Sequence, residues 1–511
     1  MNKTKLDLIY CEEILIKLNI PVSIDETKLF KYDPNSGFYT DNCFPYTTEN
    51  GTDIILNDRK QEFVDNNLSL CEYNCNYTGY DEDIKKSSCD CFIKNKMELI
   101  SDIIQNPNKL SNNFDLDESD SSTSSIVTIK CTKALFSKEG LKNNISSYIL
   151  IIFIFVFLVC LILFLKCGYP LLNNDINDII KEKEKIEKKN KNRNQITTIS
   201  KNYRRKKSKG KTKRKSFPPK KYNFKFVNNL NFGKNVKLNL VNKNINLNTQ
   251  KNNKKNEKLI KLNRSNNKNK SKSNLINKNI KLSFNNYELN TFSYKKALIY
   301  DKRTCFEYYW SLLRTKNLIL FSFFPIKDYN SISVKICIFT LSFSVYYAIN
   351  FSFFDEAMLH KIYEIGGKYE FIYFIPKICI SFLISYAITI IIKLIFLSER
   401  NIAKIRDQST LTKASRISDQ VRRSLVIKYI IFFTLGLIFL VFFWMLLSSF
   451  GAVYQNTQIF IFDNTLISFG ISLVFPVFFN IFPCALRICS LNSKEKNSEA
   501  LYNFSKILQI I

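Results

Sequence analysis

The chain has 511 residues, a formal net charge of +31, and 46% hydrophobic residues that gather in a few long runs. This is too long for one compact soluble domain and too unevenly patterned for several. Residues 181–300 hold 36 Lys/Arg against 5 Asp/Glu, which accounts for the whole excess, whereas residues 1–147 hold 16 Lys/Arg against 24 Asp/Glu. The basic balance therefore reports one segment, and no nucleic-acid partner is expected.

Residues 1–147 read as a Cys-rich extracellular or lumenal module with its tether. Seven cysteines fall here: Cys11, Cys43, Cys71, Cys75, Cys89, Cys91 and Cys131. Such density fits an oxidising compartment. In Cys71-x3-Cys75-x13-Cys89-x-Cys91 the last two share one face of a strand, where a pair on an opposing turn meets them. A disulfide-stapled hairpin is expected. Spacing does not fix the connectivity, and the pairing first-to-third and second-to-fourth is a guess. The zinc alternative lacks a nearby His and the usual x2 knuckle. The disulfide candidates are Cys43, Cys71, Cys75, Cys89, Cys91 and Cys131. Seven is odd, and no apolar signal peptide precedes Cys11, so the true start is expected to lie upstream. Glycosylation candidates are Asn50, Asn67 and Asn76, with Asn144 too close to the membrane to serve. The acidic, Ser-rich stretch 115–125 reads as a tether.

Residues 148–165 (YILIIFIFVFLVCLILFL) are uncharged and free of Pro and Gly. A helix needs about 20 mostly apolar residues to cross the hydrocarbon core, and this run is read as the first span. Residues 166–302 read as a disordered Lys/Asn-rich cytoplasmic segment, too poor in apolar residues to fold alone. Its cations suit the anionic cytoplasmic leaflet through residues 181–300, with Ser208 and Ser216 as sites whose phosphorylation would weaken that contact. A low-complexity insertion with no selected role competes. Residues 303–330 mix aromatic and basic side chains and read as an interfacial segment.

Residues 331–489 are expected to contain four more spans, near 331–354, 371–397, 424–450 and 465–489, followed by a tail over 490–511. The last carries Gly470, Pro476 and Pro483, with Asn480 placed to satisfy freed backbone groups. Lys335, Lys393 and Lys428 near the span ends read as snorkelling. Asp355 and Glu356 on one side and Lys377 on the other make an inter-helix ion pair geometrically possible, although independent interface residues explain them equally well. Residues 451–464 read as a plain outer loop. Lys and Arg concentrate in 166–330, 398–423 and 490–511 and are sparse in 355–370 and 451–464. The positive-inside rule then puts the N-terminus outside and the C-terminus in the cytoplasm.

Catalytic motifs are missing. His360 is the one histidine, which excludes His-based triads and HExxH zinc sites, and no GxxxxGK[ST], GxGxxG or GxSxG motif occurs. No enzyme activity, cofactor or metal is expected.

Two stretches carry a family resemblance: YDPNSGFYTDNCFPYTTENGTDIILNDRKQEF, residues 32–63, and FWMLLSSFGAVYQNTQIFIFDNTLISFGISLVFPVFFNIFPCALR, residues 443–487. Together they resemble the C-terminal portion of large multi-pass surface proteins found as expanded families in AT-rich protists. The resemblance implies a Cys-rich ectodomain, a first span, a basic insert and a final cluster of spans. It implies no mechanism. The fold class read from the sequence is an all-α multi-pass membrane protein of about five transmembrane helices, with a small disulfide-rich ectodomain and a disordered basic cytoplasmic segment. The expected role is receptor-like, adhesive or scaffolding, with membrane lipids and an extracellular partner as contacts. The alternative is a channel or transporter subunit formed by the last four spans.

Overall fold

The computed structural model describes residues 14–72, 75–92, 128–208, 284–326, 328–492 and 498–510. Cys11, Ser216, the acidic tether and most of the basic segment lie outside the described residues. The chain divides into two units. One comprises residues 1–184 and 285–511, and the other residues 185–284. Of the second unit, the described part is essentially one helical stretch, which carries a Glu187–Lys191 pair at 3.2 Å.

The N-terminal module opens with a three-stranded antiparallel sheet ordered β1–β3–β2, from β1 (Leu15–Pro21), β2 (Cys75–Asp81) and β3 (Lys86–Phe92). The hairpin expected from the cysteine spacing is present. Cys89 and Cys91 alternate with Asp90 along β3 and share its buried face, where Cys71–Cys89 and Cys75–Cys91 disulfides form. A second small core packs Phe38, Tyr39 and Phe63 against Phe30 and Phe44, with Phe63 on helix α1 (Leu56–Asp65). A third disulfide, Cys43–Cys131, ties this core to the turns that precede the first apolar helix.

Five helices are long and apolar enough to cross a membrane. The first, α2 (Ile145–Leu163), passes through a wider turn at Phe164–Gly168 into α3 (Tyr169–Ser208). Gly168 sits where a Cβ would come within 2.5 Å of the Ser331 hydroxyl. The chain does not stop being helical at Lys166, as charge alone suggested. Leu172, Ile176 and Ile179 recur at helical spacing and are buried in the main core, which extends the helix past the apolar run. The other end of the expected disordered stretch is likewise helical, at Asn286–Thr291 and α4 (Tyr294–Tyr300).

Next come α5 (Cys305–Lys316), a short turn of helix at Leu318–Phe323, and the second span, α6 (Ile332–Phe351). Of the α6 window, 67% is buried, against 22% to 33% for the other four spans, so α6 is the axis around which they pack. Its position explains its composition. A helix surrounded by other helices carries Thr340, Ser342, Ser344 and Asn350 on buried faces. After α7 (Glu356–Glu364) come α8 (Phe371–Phe396), α9 (Glu399–Arg406), α10 (Leu411–Val453), α11 (Thr457–Phe479), α12 (Ile481–Asn492) and α13 (Ser498–Leu508).

Gly436 lets α10 approach α2, since a Cβ there would lie 2.7 Å from the Phe157 ring. Two boundaries differ from expectation. α10 begins at Leu411, because Ala414, Ser418 and Val421 bury one face of its basic first turns. The expected loop 451–464 shrinks to residues 454–456 between α10 and α11. Asn480 does not satisfy freed backbone groups through its amide nitrogen. It is buried at the break between α11 and α12, and that nitrogen has no partner among the described residues.

Candidate functional site

The connections sort to opposite ends of the bundle. One end gathers the N-terminal module, α7 and the α10–α11 turn. The distinctive group there is Asp53, 2% exposed. Its Oδ2 accepts from the backbone N–H groups of Asn456 (2.9 Å) and Thr457 (2.7 Å), where α11 starts. Its Oδ1 accepts from Asn456 Nδ2 at 3.3 Å and Thr47 Oγ1 at 3.2 Å. Asn456 caps nothing with its own side chain. The N-cap of this span is thus supplied from 403 positions earlier in sequence. Burial pushes the Asp53 carboxyl above its ordinary range, opposed by the Thr457 N–H.

One face of α1 meets α7. Asp58 lies 2.7 Å from His360 Nδ1, and Tyr363 donates to Glu62 Oε1 at 2.7 Å. Burial raises the Asp58 carboxyl, with His360 opposing. The α7 exit turn uses Gly367 at φ 72, where a Cβ would also come within 2.7 Å of Thr52. Below the module, buried Asn144 donates to Ser448 O (2.7 Å) and Gly140 O (3.2 Å), while Trp444 Nε1 donates to Ser147 Oγ at 3.1 Å. Asn144 is sealed as a glycan acceptor, whereas Asn50, Asn67 and Asn76 are exposed. Among the described residues Lys377 forms no ion pair with Asp355 or Glu356. Its ammonium lies 4.9 Å from the Tyr373 ring centroid and 3.4 Å from Met358 Sδ, and Asp355 instead caps α7 through Met358 N.

The other end gathers α4, α5, α9, α12 and α13 and is held by buried charges. Asp301 accepts from Arg303 Nε (2.8 Å) and from Arg487 (2.8 Å). Arg487 is wholly buried between the rings of Tyr308 and Tyr502, each 4.7 Å from its guanidinium carbon. Burial would raise the Asp301 carboxyl, but Arg303 and Arg487 outweigh it and hold it below the usual carboxylate range. Arg406 binds both oxygens of buried Glu288 at 2.9 Å. Lys335 does not snorkel, since it forms a 2.6 Å pair with Asp328, both nearly inaccessible. Lys428 donates to Leu397 O at 2.7 Å. Cys305 and Cys484 bring their sulfurs to 3.0 Å.

Between the helix Asn286–Thr291, α5, α9 and α13 on one side and α6, α8 and α11 on the other lies a cavity of about 560 Å³. Lys316, Lys393, Arg400, Lys404 and Lys506 line it, against the carboxylates Glu399 and Asp407. Burial lowers the Lys316 ammonium to about 8. No sequence pattern marks this cavity, because its cations come from α5, α8, α9 and α13. Among the described residues, no group of three or more His, Cys, Asp or Glu side chains is placed to hold a metal ion. No protein-family model, curated protein or solved structure matches the chain.

Proposed function

We propose that the chain is a multi-pass integral membrane protein of the plasma membrane or a secretory-pathway membrane, non-catalytic, with a receptor-like or scaffolding role. The N-terminal module lies outside and the C-terminus in the cytoplasm. Three disulfides in the module favour an oxidising compartment for that end. The Lys/Arg-rich connections 166–330 and 398–423 favour the cytoplasm for the other. The observation that carries the receptor-like reading is the Asp53 cap on α11, because displacing the module uncaps a span. A partner bound outside would then act on the bundle through this contact.

Epitope tags test the orientation. Tags inserted at Gly210 and after Ile511 should be reached only after permeabilisation, and one at Asn50 without it. Labelling of Gly210 on intact cells would refute the reading. A channel or transporter remains the second reading, favoured by one observation. The buried hydroxyls of Ser342, Ser381 and Ser385, on α6 and α8, lack partners among the described residues. Asn350 meets Ser468 across α6 and α11 at 2.9 Å. Ion flux in reconstituted vesicles tests that reading.

A further inference from the structure

The cavity at the end remote from the module has two unlike walls. Its polar wall carries five cations. Three of them are held by main-chain carbonyls. Lys316 donates to Ile510 O at 2.6 Å, Lys506 to Thr291 O at 2.7 Å, and Lys393 to Lys316 O at 3.3 Å. None of the five has a carboxylate within ion-pair distance among the described residues. Asp407, one of the two acids on the wall, is itself engaged by Lys296 at 3.4 Å. The cavity thus presents donors already positioned by neutral acceptors and short of anionic partners.

The second wall is apolar and comes from α8. Ile390 and Leu394 line the cavity, and Leu394 is 55% exposed. Ile391 and Ile395, beside them on α8, are each 53% exposed, so an exposed apolar strip of α8 continues from this wall. Basic pockets between membrane helices at the cytoplasmic side are suited to polyanionic headgroups. A volume near 560 Å³ falls within the range of small-ligand sites.

We propose that this cavity binds a phosphorylated polyol, with phosphate monoesters on the lysines and Arg400, and that its source is a phosphoinositide whose acyl chains leave along Ile390 and Leu394. A free inositol phosphate carries the same ring chemistry and is the competing source. Lysine supplies point charges to phosphate oxygens, and Arg400 adds a planar fork.

The test uses the full chain purified in detergent, so it does not depend on which way the protein faces in a cell. Binding of dioctanoyl phosphatidylinositol bisphosphate, dioctanoyl phosphatidylserine and inositol trisphosphate is measured for the wild type and for R400Q/K404Q. Arg400 and Lys404 are chosen because, among the described residues, their side chains hold no helix-end carbonyl, so unfolding temperature without lipid should not change. A K393M variant supplies a second, half-buried probe. The basic segment 181–300 also attracts anions, so titrations are run at about 1 M salt, where the Debye length is roughly 3 Å. The variants keep that segment intact. Expected is preference for the bisphosphate lipid over phosphatidylserine, and a loss of affinity of roughly tenfold per cation removed. Equal binding of inositol trisphosphate would overturn the lipid source. Unchanged affinity in both variants would overturn the site.

Discussion

Replacing Asp53 by Ala tests whether the N-terminal module is a structural part of the bundle or a passenger on it. The substitution removes the acceptor for two backbone N–H groups at 2.7 and 2.9 Å and for the Asn456 amide at 3.3 Å. Loss of an N-cap costs about 0.5–2 kcal/mol, and a buried donor left without an acceptor about 1–3 kcal/mol. Removing a carboxylate that is only 2% exposed returns part of this, because the charged form is disfavoured by burial. The net expectation is a destabilisation of about 2–3 kcal/mol for Asp53→Ala. Asp53→Asn keeps one acceptor oxygen and carries no charge, so about 1 kcal/mol is expected there. The pH dependence has a definite sign. The folded carboxyl is raised above its unfolded value, so this group favours folding most below the unfolded value near 3.8, and that contribution is lost as pH rises through the folded value. Asp53→Asn should abolish it. Thermal unfolding of the purified protein, with disulfides intact, gives the stability. Limited proteolysis between the module and the first span should quicken in Asp53→Ala. A change below about 0.5 kcal/mol with unaltered proteolysis would refute the argument that the cap couples module to span.

Three further outcomes follow from the opposite end. Arg487→Met removes a buried cation from Asp301 and from two tyrosine rings, and should destabilise by about 3–5 kcal/mol. Asp301→Asn should lose the acid-limb term, since a depressed folded carboxyl contributes stability above about pH 3.8 that disappears as pH falls through its folded value; an unchanged acid limb would count against the pairing. Mild oxidation with copper phenanthroline should join Cys305 to Cys484, whose sulfurs lie 3.0 Å apart, and leave Cys379 and Cys489 unlinked, as peptide mass mapping would reveal.

What was legible in the sequence is what local composition determines. Apolar runs gave the five membrane-length helices, because covering backbone polar groups in hydrocarbon requires long uninterrupted helix. The spacing Cys89-x-Cys91 gave the stapled hairpin, because strand side chains alternate. The parts that were not legible depend on partners far along the chain. Lys335 looks like a snorkelling lysine until Asp328 is seen folded back onto it. Lys377 could be read either as paired to Asp355 or as independent of it, and only the fold decides, with Tyr373 and the α7 cap engaging them separately. The helix past Lys166 was hidden because Leu172, Ile176 and Ile179 are too few to register against so many charges, although they form one buried stripe.

Both ends of the bundle carry side chains that reach helix termini from distant segments. Within hydrocarbon, helix association is driven largely by packing, as where Gly436 admits the Phe157 ring. At the ends, helix termini expose unpaired backbone groups that must find partners. Here those partners are supplied from distant segments: Asp53 at the start of α11, Lys316 at Ile510 O, and Lys506 at Thr291 O. Each such contact makes the position of one helix conditional on another segment. A ligand that competes for these lysines in the cavity, or a partner that moves Asp53, therefore shifts helix ends through contacts already in place. The two proposed sites are thus separable by mutation: Asp53→Ala should leave lipid affinity in detergent unchanged unless the module and the cavity are coupled through the spans, and a cooperative change in both would measure that coupling directly.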